Sequence, residues 1–513
     1  NIITKDILSK KLSGEYKFLP IDTKYFKDLE VEILGLFDNL DEELDGWLIK
    51  SENYQALNTI LPKFKGKVQT IYIDPPYNTG KDFPYIDRFQ NSSWLSLIFD
   101  RISLLYDFLN ITGNFWLHLD FNSVHLARIL LDDIFGRDNF VNEIIWRKRA
   151  GAGNDSKYIA NEHDNILLYC KNFQRVEFSS FQRGSELIEN YERDGKGYYL
   201  LKPLNEPTLQ DSPGLHYDIL LPSGKILYGN QHQWKVSRNK YYEMLNNDQI
   251  VFKEDKVYYK HYIDINKGII PSSIFFNTGF NSDGTKELKS LFGESFYNSL
   301  KKESKKPTVK PERLLKTILT ISYNKSINNI VLDCFLGFGT TTAVAHKLGR
   351  KWIGIEMGEY FYTVILPRMK KVLAYDRSGI SKENDVKENY NEKKAGGFFK
   401  YYELEQYEET LANTVYENHD MLITEDCKPY EQYVFMRDEK MLRALDEIDY
   451  KNNKVKVDLS KIYENIDIAE TLSNLTGKWI KRIEGEEIVF EDGSIVNIKD
   501  LDYKLIKPLI WWE

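Results

Sequence analysis

Two runs rich in β-branched and apolar residues stand out along the chain, and each stops abruptly at an aspartate. The first is Val68–Ile73, which the tetrapeptide DPPY follows at 74–77, and the second is Ile330–Asp333. An apolar run of this length, bounded by turn residues, predicts a strand that is buried on both faces. Glycines, an apolar helical pattern and another strand ending at Glu356 follow the second run. This order predicts an α/β fold with a mostly parallel sheet.

The hydropathy pattern also divides the chain. The hundred residues after 172 hold many Tyr and Phe without helix–strand alternation, and residues 377–394 are polar and almost free of apolar side chains, which is typical of a linker. Because the two apolar strands lie on either side of the aromatic region, we expect a sheet assembled from two halves. The predicted divisions are an N-terminal segment (1–49), two core halves (50–172 and 300–378), an inserted region (173–299), a linker (379–395) and a C-terminal α+β accessory domain (396–513).

Charge is distributed unevenly over the 513 residues. The whole chain has 69 basic and 77 acidic side chains, but residues 396–513 hold 15 of the basic and 26 of the acidic ones. Residues 51–395 therefore carry a net positive charge. This charge favours binding of a nucleic acid by the middle of the chain and not by its acidic ends, although chance surface charge gives the same count. The aromatic share of 14% excludes a mainly disordered chain.

Cysteines and histidines offer no metal or disulfide chemistry. Cys170, Cys334 and Cys427 lie far apart without a CxxC pair, and the histidines lack metal-ligand spacing, so no metal site is predicted and a reducing compartment is expected. The sequence has no run of 18 apolar residues and no apolar core of a signal peptide. We therefore expect no membrane association and a cytoplasmic location.

The tetrapeptide at 74–77 places three kinds of group at the end of a buried strand. Pro75 and Pro76 fix φ and remove two backbone donors, so neighbouring carbonyls can accept hydrogen bonds from a ligand. Asp74 and a proline carbonyl could each accept one N–H of a planar amine while Tyr77 stacks on its ring. A plain strand-terminating turn explains the prolines but not all four residues in order.

The glycine turn after the second run suits a nucleoside. Gly337 and Gly339 let the backbone pass close to a ligand, the following helix offers free N–H groups, and Glu356 can bind two ribose hydroxyls. The third glycine of the dinucleotide fingerprint is replaced by Thr342, which argues against a pyrophosphate cofactor.

Together these motifs resemble those of S-adenosylmethionine-dependent amino-methyltransferases that act on DNA. DPPY resembles motif IV and the F-x-G-x-G segment at 335–339 resembles motif I, in the order of the β class. Segments that extend the resemblance are 116–120 (WLHLD), 142–148 (NEIIWRK), 162–172 (EHDNILLYCKN) and 306–311 (KPTVKP). Residues 283–289 (DGTKELK) and 399–407 (FKYYELEQY) are similar to modification (Mod) subunits of type III restriction-modification systems.

The resemblance implies a Rossmann-like methyltransferase sheet and a role for each matching residue. Asp74 and the Pro75 carbonyl, beside Pro76, would hold the target amine, and Tyr77 would stack against a flipped base. Aspartate at the first position looks like the adenine-N6 enzymes, whereas serine is more frequent in N4-cytosine enzymes. The residues implied to hold S-adenosylmethionine are Asp333, Phe335, Gly337, Gly339, Thr340, Glu356, Lys310, Pro311 and Asn53.

The inserted region stands where this family has its target-recognition region. Basic clusters on either side of it could contact phosphates, although such runs are equally typical of a solvated surface. The DNA contacts predicted from these clusters are Arg147, Lys148, Arg149, Lys301, Lys302, Lys305 and Lys306. For the acidic C-terminal domain, an interface with another subunit and plain structural support are both left open.

The function that the resemblance implies is sequence-specific adenine-N6 methylation of double-stranded DNA by a type III Mod subunit, with base flipping. The implied partners are DNA, a second copy in a homodimer and a restriction (nuclease/helicase) subunit, in a prokaryotic cytoplasm at the nucleoid. Two alternatives stay open at this point. One is an amino-methyltransferase of RNA or protein with a related loop, and the other is a DNA-recognition subunit that guides a nuclease.

Overall fold

The computed structural model describes residues 19–77, 91–151, 158–181, 191–206, 210–264, 268–303, 308–324, 329–404, 466–499 and 501, with four short strands between 414 and 457. Contacts divide the chain into two compact units. One comprises Asn1–Phe178 with Ser272–Glu513, and the other is Ser179–Pro271. Within the described residues, no helix has the length and apolar character needed to cross a membrane.

The strands and helices are numbered here in chain order. The strands are β1 (Gly46–Lys50), β2 (Val68–Ile73), β3 (Leu109–Leu119), β4 (Phe140–Arg147), β5 (His163–Cys170), β6 (Glu192–Asp194), β7 (Gly197–Pro203), β8 (Ile219–Leu220), β9 (Ile226–Leu227), β10 (Ile250–Lys253), β11 (Lys256–Ile263), β12 (Ile274–Phe275), β13 (Ile330–Asp333), β14 (Trp352–Glu356), β15 (Phe399–Glu403), β16 (Thr414–Val415), β17 (Arg437–Asp438), β18 (Leu445–Asp449), β19 (Lys454–Val457), β20 (Ile480–Glu484), β21 (Glu487–Phe490) and β22 (Ile495–Asn497). The α-helices are α1 (Lys27–Leu34), α2 (Leu40–Glu43), α3 (Asn53–Phe64), α4 (Asn91–Phe108), α5 (Val124–Phe135), α6 (Arg238–Asn246), α7 (Asn281–Phe292), α8 (Glu294–Glu303), α9 (Glu312–Ile321), α10 (Thr340–Lys347), α11 (Leu366–Leu373), α12 (Asn384–Lys387) and α13 (Ile468–Thr476).

A nine-stranded sheet forms the centre of the first unit. Its order is β12-β4-β5-β3-β2-β13-β14-β1-β15, and every neighbouring pair is parallel except the two that involve β5. All residues of β2 and β13 are buried, as the β-branched and apolar residues of these runs predict. The sheet unites strands from before and after the inserted region. The predicted α/β fold with a mostly parallel, Rossmann-like sheet is therefore confirmed.

The sheet extends beyond the predicted limits of the core. Strand β1 lies in the segment predicted to precede the core, and β15 lies in the predicted accessory domain. Both belong to the sheet because β1 pairs in parallel with β14 on one side and with β15 on the other. The core limits of 50 and 378 were thus too narrow.

The segment 379–395, predicted as a linker, is folded and packs against the rest of the first unit. The segment contains a 3₁₀ helix at Gly379–Lys382 and the helix α12. Its few apolar side chains, Ile380, Val386 and Tyr390, are all buried. The Tyr390 hydroxyl also donates to the carbonyl of Val372 at 2.5 Å. The polar composition of the segment did not predict this packing, because only a few of its side chains are apolar and all of these are buried.

Residues from both ends of the described chain pack on α3. Trp479 makes edge contacts with Trp47 and with Phe64, at ring-centroid distances of 5.7 and 5.9 Å. Below them, the ammonium of Lys63 is fully buried and contacts Asp41 at 2.9 Å and Glu470 at 3.0 Å. Helix α13 and the strands after it therefore form part of the first unit's core.

The second unit has its own core. A four-stranded antiparallel sheet, β10-β11-β7-β6, is joined by the β8–β9 hairpin and α6. Trp234 is buried, donates its indole N–H to the Tyr217 carbonyl at 2.7 Å and stacks on His232. The unit is narrower than the predicted insertion at 173–299, because β12 pairs with β4 and so places residues after 271 in the first unit.

Candidate active site

The two motif-bearing loops leave the sheet at the same edge. Strands β2 and β13 are parallel neighbours with Ile71 opposite Leu332, so Asp74 and the glycine loop both follow carboxyl ends of adjacent strands. On the other side of β13, Asp333 lies opposite Gly354 of β14. In open α/β sheets this is the edge at which ligands bind, outside the carboxyl ends of strands whose connections diverge.

Asp74 lies in the loop after β2, and its carboxylate contacts two side chains. Lys310 places its ammonium 2.8 Å from Asp74 Oδ2 and 2.9 Å from the Tyr77 hydroxyl oxygen. The Tyr77 hydroxyl in turn donates to Asp74 Oδ1. Burial and the nearby Asp74 carboxylate raise the pKa of Tyr77 well above its usual value, so this hydroxyl remains a donor. Asp74 keeps about a quarter of its side chain exposed.

The two proline carbonyls of the loop differ. The Pro76 carbonyl accepts the indole N–H of Trp94 at 2.7 Å, which fixes the loop against α4. The Pro75 carbonyl has no hydrogen-bond partner within the described part of the chain. The arrangement therefore offers a carboxylate and one carbonyl as acceptors beside an aromatic ring, as the sequence predicts.

A buried polar network that the sequence did not assign supports Tyr77. The His118 ring is stacked at 18° to that of Tyr77, with 6.1 Å between centroids, and Trp146 meets His118 edge-on. His118 binds the Tyr72 hydroxyl at 2.9 Å and Asp164 at 3.3 Å. Burial, reinforced by Lys310, lowers the pKa of His118. His118, Trp146 and Asp164 lie in the family-matching segments 116–120, 142–148 and 162–172, and the sequence assigned them no role in the site.

The predicted DNA contacts occupy different environments. Lys148 is only 15% exposed and binds Asp164 at 2.5 Å, so its ammonium is paired within the buried network. Arg147 donates to the Ala150 carbonyl at 2.8 Å, and Arg149 is exposed. Lys301 and Lys302 are exposed at the end of α8. The other two predicted contacts, Lys305 and Lys306, lie outside the described residues.

The glycine loop has the conformation that its composition predicts. Gly337 and Gly339 have φ of +56° and +78°, values that residues other than glycine rarely adopt. Gly339 precedes the first residue of α10. A Cβ at Gly337 would meet no atom within 4 Å, so the backbone borders open space there. Gly337 N–H donates to Glu356 Oε2 at 2.8 Å. Phe335 packs against the core beside the loop.

Asp333 and Glu356 are acidic groups of this edge with different surroundings. Asp333 is buried and accepts from Phe335 N–H at 3.0 Å and from the Thr341 hydroxyl at 2.6 Å. Burial raises the pKa of Asp333 to about 7. Glu356 accepts backbone N–H groups from Gly337 at 2.8 Å and from Gly358 at 2.9 Å, and it also hydrogen-bonds the Tyr360 side chain and the backbone of Met357. Burial raises the pKa of Glu356 too.

Asp333 gives a testable pH dependence. Between about pH 4 and 7 the unfolded carboxyl is ionised while the folded one keeps its proton, so unfolding releases a proton and the free energy of unfolding falls as pH rises. Asp333→Asn is expected to remove this decline, so that the variant gains stability relative to wild type from pH 5 to pH 8. Thermal midpoints at both pH values measure it, with Asp107→Asn as a surface control. Parallel pH curves for wild type and Asp333→Asn would contradict the assignment.

Asn53 braces the glycine loop from the side of α3. Its amide donates to the Cys334 carbonyl at 3.2 Å and accepts from Arg101 at 3.0 Å. Arg101, which the sequence did not single out, also binds Glu52 at 2.8 Å. Next to them, the hydroxyl of Ser51 is buried and has no hydrogen-bond partner among the described residues. The Ser51–Asn53 segment thus reaches the predicted cofactor edge.

A charged hub lies under the segment that carries Lys310 and Pro311. Arg368 donates to the Phe338 carbonyl at 2.9 Å, to the Thr340 hydroxyl at 3.0 Å and to Glu312 at 3.1 Å. Thr340 donates onward to the Lys310 carbonyl at 3.3 Å. Because single ion pairs between distant segments leave no local pattern, sequence reasoning missed Arg368 and Glu312. No group of three potential metal ligands occurs among the described residues.

A family model of DNA methylases matches residues 68–366, which include both motif-bearing strands and the inserted unit. The chain belongs to the DNA methylase family. Among curated relatives, the probable type III restriction-modification enzyme HindVI Mod subunit of Haemophilus influenzae is 31% identical over 424 residues, or 72% of this chain and 55% of the relative. The StyLTI Mod subunit of Salmonella typhimurium is 27% identical over 342 residues, or 59% and 50%.

The match to these methylases is partial in length. The chain spans about half the length of the two curated relatives, 55% and 50%. The solved structure of an M1.HpyAVI–SAM complex aligns with 63% of this chain and 98% of its own, at 16% identity and a TM-score of 0.33. At that score the fold assignment rests on this methylase's own strand order.

Proposed function

We propose that this DNA methylase transfers the methyl group of S-adenosylmethionine to the N6 amino group of adenine in DNA. One observation carries the proposal: the loop with Asp74 and the loop with Gly337 leave adjacent parallel strands at one edge of the sheet. An amine-binding set and a nucleoside-binding set thereby share one site. The matches to Mod subunits support DNA as the substrate and adenine as the base.

The catalytic set acts on a weak nucleophile. The exocyclic amine of adenine has its lone pair delocalised into the ring. Asp74 and the Pro75 carbonyl accept its two hydrogens and turn the lone pair toward the methyl donor. Tyr77, backed by the His118 ring, offers a stacking surface for a base that has left the duplex, at an unstacking cost of roughly a few kcal/mol.

The residues at the cofactor edge fit a nucleoside. Glu356 ends β14 beside the glycine loop and offers a carboxylate to a ribose, Gly337 borders open space, and the buried Ser51 hydroxyl lacks a partner among the described residues. Asn53 and Thr340 hold the surrounding backbone. When bound there, S-adenosylmethionine supplies a methyl group activated by a sulfonium.

The chain further fits the modification subunit of a type III restriction-modification system. The two Mod relatives support this assignment, and with it a separate restriction subunit as a partner. The second compact unit, Ser179–Pro271, lies between the two halves of the core in sequence and is proposed as the target-recognition domain. The predicted homodimer stays a prediction.

The decisive experiment is genome-wide mapping of methylated bases. Wild type and Asp74→Ala are expressed in a bacterial host without its own methylation, and modified adenines are located by long-read sequencing. N6-methyladenine at one short motif, in wild type only, is the expected result. Methylated RNA or protein without marked DNA would support the other amino-methyltransferases instead, and a protein that binds one DNA motif without marking it would support a recognition subunit.

The four lysines at 301, 302, 305 and 306 give a second, electrostatic prediction. Replacing Lys301, Lys302, Lys305 and Lys306 by Gln is expected to weaken DNA binding and to flatten the slope of log affinity against log salt, by about 0.9 for each phosphate that is no longer neutralised. Affinity measured from 50 to 300 mM salt, roughly the range over which counterion release is resolved, tests this. Lys481→Gln, in the acidic C-terminal part, serves as control. An unchanged slope in the fourfold variant would refute the DNA contact.

A further inference from the structure

Lys310 reaches across the site from the segment that precedes α9. Its ammonium lies 2.8 Å from Asp74 Oδ2 and 2.9 Å from the Tyr77 hydroxyl oxygen, and its side chain is 11% exposed. The same ammonium is 5.3 Å from the centroid of the Tyr77 ring. It therefore sits beyond the hydroxyl end of the ring and does not cover the face on which a base would stack.

The backbone of Lys310 is fixed by the opposite half of the site. Its carbonyl accepts the hydroxyl of Thr340, the first residue after the glycine loop, at 3.3 Å. Thr340 in turn accepts from Arg368 at 3.0 Å, and Arg368 also holds the Phe338 carbonyl of the glycine loop. Lys310 thus connects the two loops. Its carbonyl contacts Thr340 next to the glycine loop, and its ammonium contacts the carboxylate of Asp74.

We propose that Lys310 is a positioning residue for Asp74 and not a ligand of the cofactor. The inference rests on the proposed function. A charge-assisted contact to one carboxylate oxygen, with the Tyr77 hydroxyl on the other, fixes the plane in which Asp74 accepts the target amine. Because the Lys310 carbonyl is tied to Thr340, the same contact sets the distance of Asp74 from the cofactor loop.

The test separates cofactor binding from methyl transfer in the full chain. Binding of S-adenosylhomocysteine is measured by calorimetry, and transfer is measured in single turnovers at saturating S-adenosylmethionine on DNA that carries the mapped motif. Lys310→Met is expected to lower the transfer rate by about 100-fold, the typical cost of misplacing a reacting group by an ångström. Its affinity for S-adenosylhomocysteine should stay within about threefold of wild type, less than 1 kcal/mol. Lys310→Arg, which keeps a cation in reach, should recover at least about tenfold of the loss.

Lys316 supplies the matched control. It follows on α9, is 13% exposed and pairs with Glu383 and Asp385, away from Asp74. Lys316→Met should transfer within about twofold of wild type. The proposal is overturned if Lys310→Met loses cofactor affinity but transfers normally once saturated, or if Lys316→Met and Lys310→Arg lose as much as Lys310→Met. A wild type without methyl transfer would overturn the proposed function itself.

Discussion

Asp74→Ala is expected to lower the rate of methyl transfer at least about 10³-fold, the upper range for removing a group that stabilises charge in a transition state. The amine gains positive charge as the methyl group arrives, and Asp74 is the carboxylate that stands next to the Pro75 carbonyl at the end of β2. Single-turnover transfer of labelled methyl groups to DNA measures the loss. Affinities for DNA and for S-adenosylhomocysteine should change little, because the contact of the Pro76 carbonyl with Trp94 and that of Gly337 N–H with Glu356 do not involve the Asp74 side chain.

Asp107→Ala is the control for this variant. Asp107 lies near the end of α4 and pairs with the exposed Lys65 at 3.5 Å, away from the sheet edge that holds the site. Its transfer rate should equal that of wild type. If Asp74→Ala kept more than a tenth of wild-type transfer, about 1.4 kcal/mol of barrier at most, Asp74 would not hold the target amine.

Lys63→Met is expected to lower the free energy of unfolding by about 3–5 kcal/mol, because it removes one partner from a buried ion cluster. Lys63 is fully buried and contacts both Asp41 and Glu470. Burial alone would raise the pKa of Glu470, but Lys400 and Lys63 lower it to about 2. Without Lys63 the carboxylate of Asp41 stays buried without its ammonium. Urea denaturation of the full chain, followed by tryptophan fluorescence, measures the change.

Lys65→Met provides the matched comparison two residues away. Lys65 is 64% exposed and its pair with Asp107 is open to solvent, so the loss should stay below about 1 kcal/mol. Equal effects of the two substitutions would show that the buried cluster does not hold the C-terminal part on α3. Removal of residues 396–513 should likewise destabilise the core, since it deletes both Glu470 and β15.

Sequence alone predicted the parts of the site that follow long, buried strands. Strand β2 and strand β13 are recognisable because they are rich in β-branched and apolar residues and are followed by prolines or glycines with special backbone demands. Strands β1 and β15 were missed since a run of only five residues does not identify a strand of a parallel sheet. Their place depends on partners hundreds of residues away, which no local pattern encodes.

The contacts that orient the site are equally non-local. Lys310 and Tyr77 are 233 residues apart in sequence, so their meeting depends on the packing of two finished halves. Lys148 is another example. Its basic neighbours in sequence suggest a surface cluster, but its ammonium binds the buried Asp164. Composition identified the chemical groups that are available, whereas only the fold determines which charges neutralise each other.

Strand β1 also bears on how the protein is made. It occupies a slot between β14 and β15, whose residues emerge from the ribosome some three hundred positions later. Pairings between such distant segments form slowly, since a long loop must close, at a cost in chain entropy, before the stabilising contacts form. An incomplete nascent chain therefore has the DPPY strand but lacks the sheet that supports it. The nine-stranded sheet is complete only after synthesis has passed β15, so a partly translated chain lacks the full support of the proposed site.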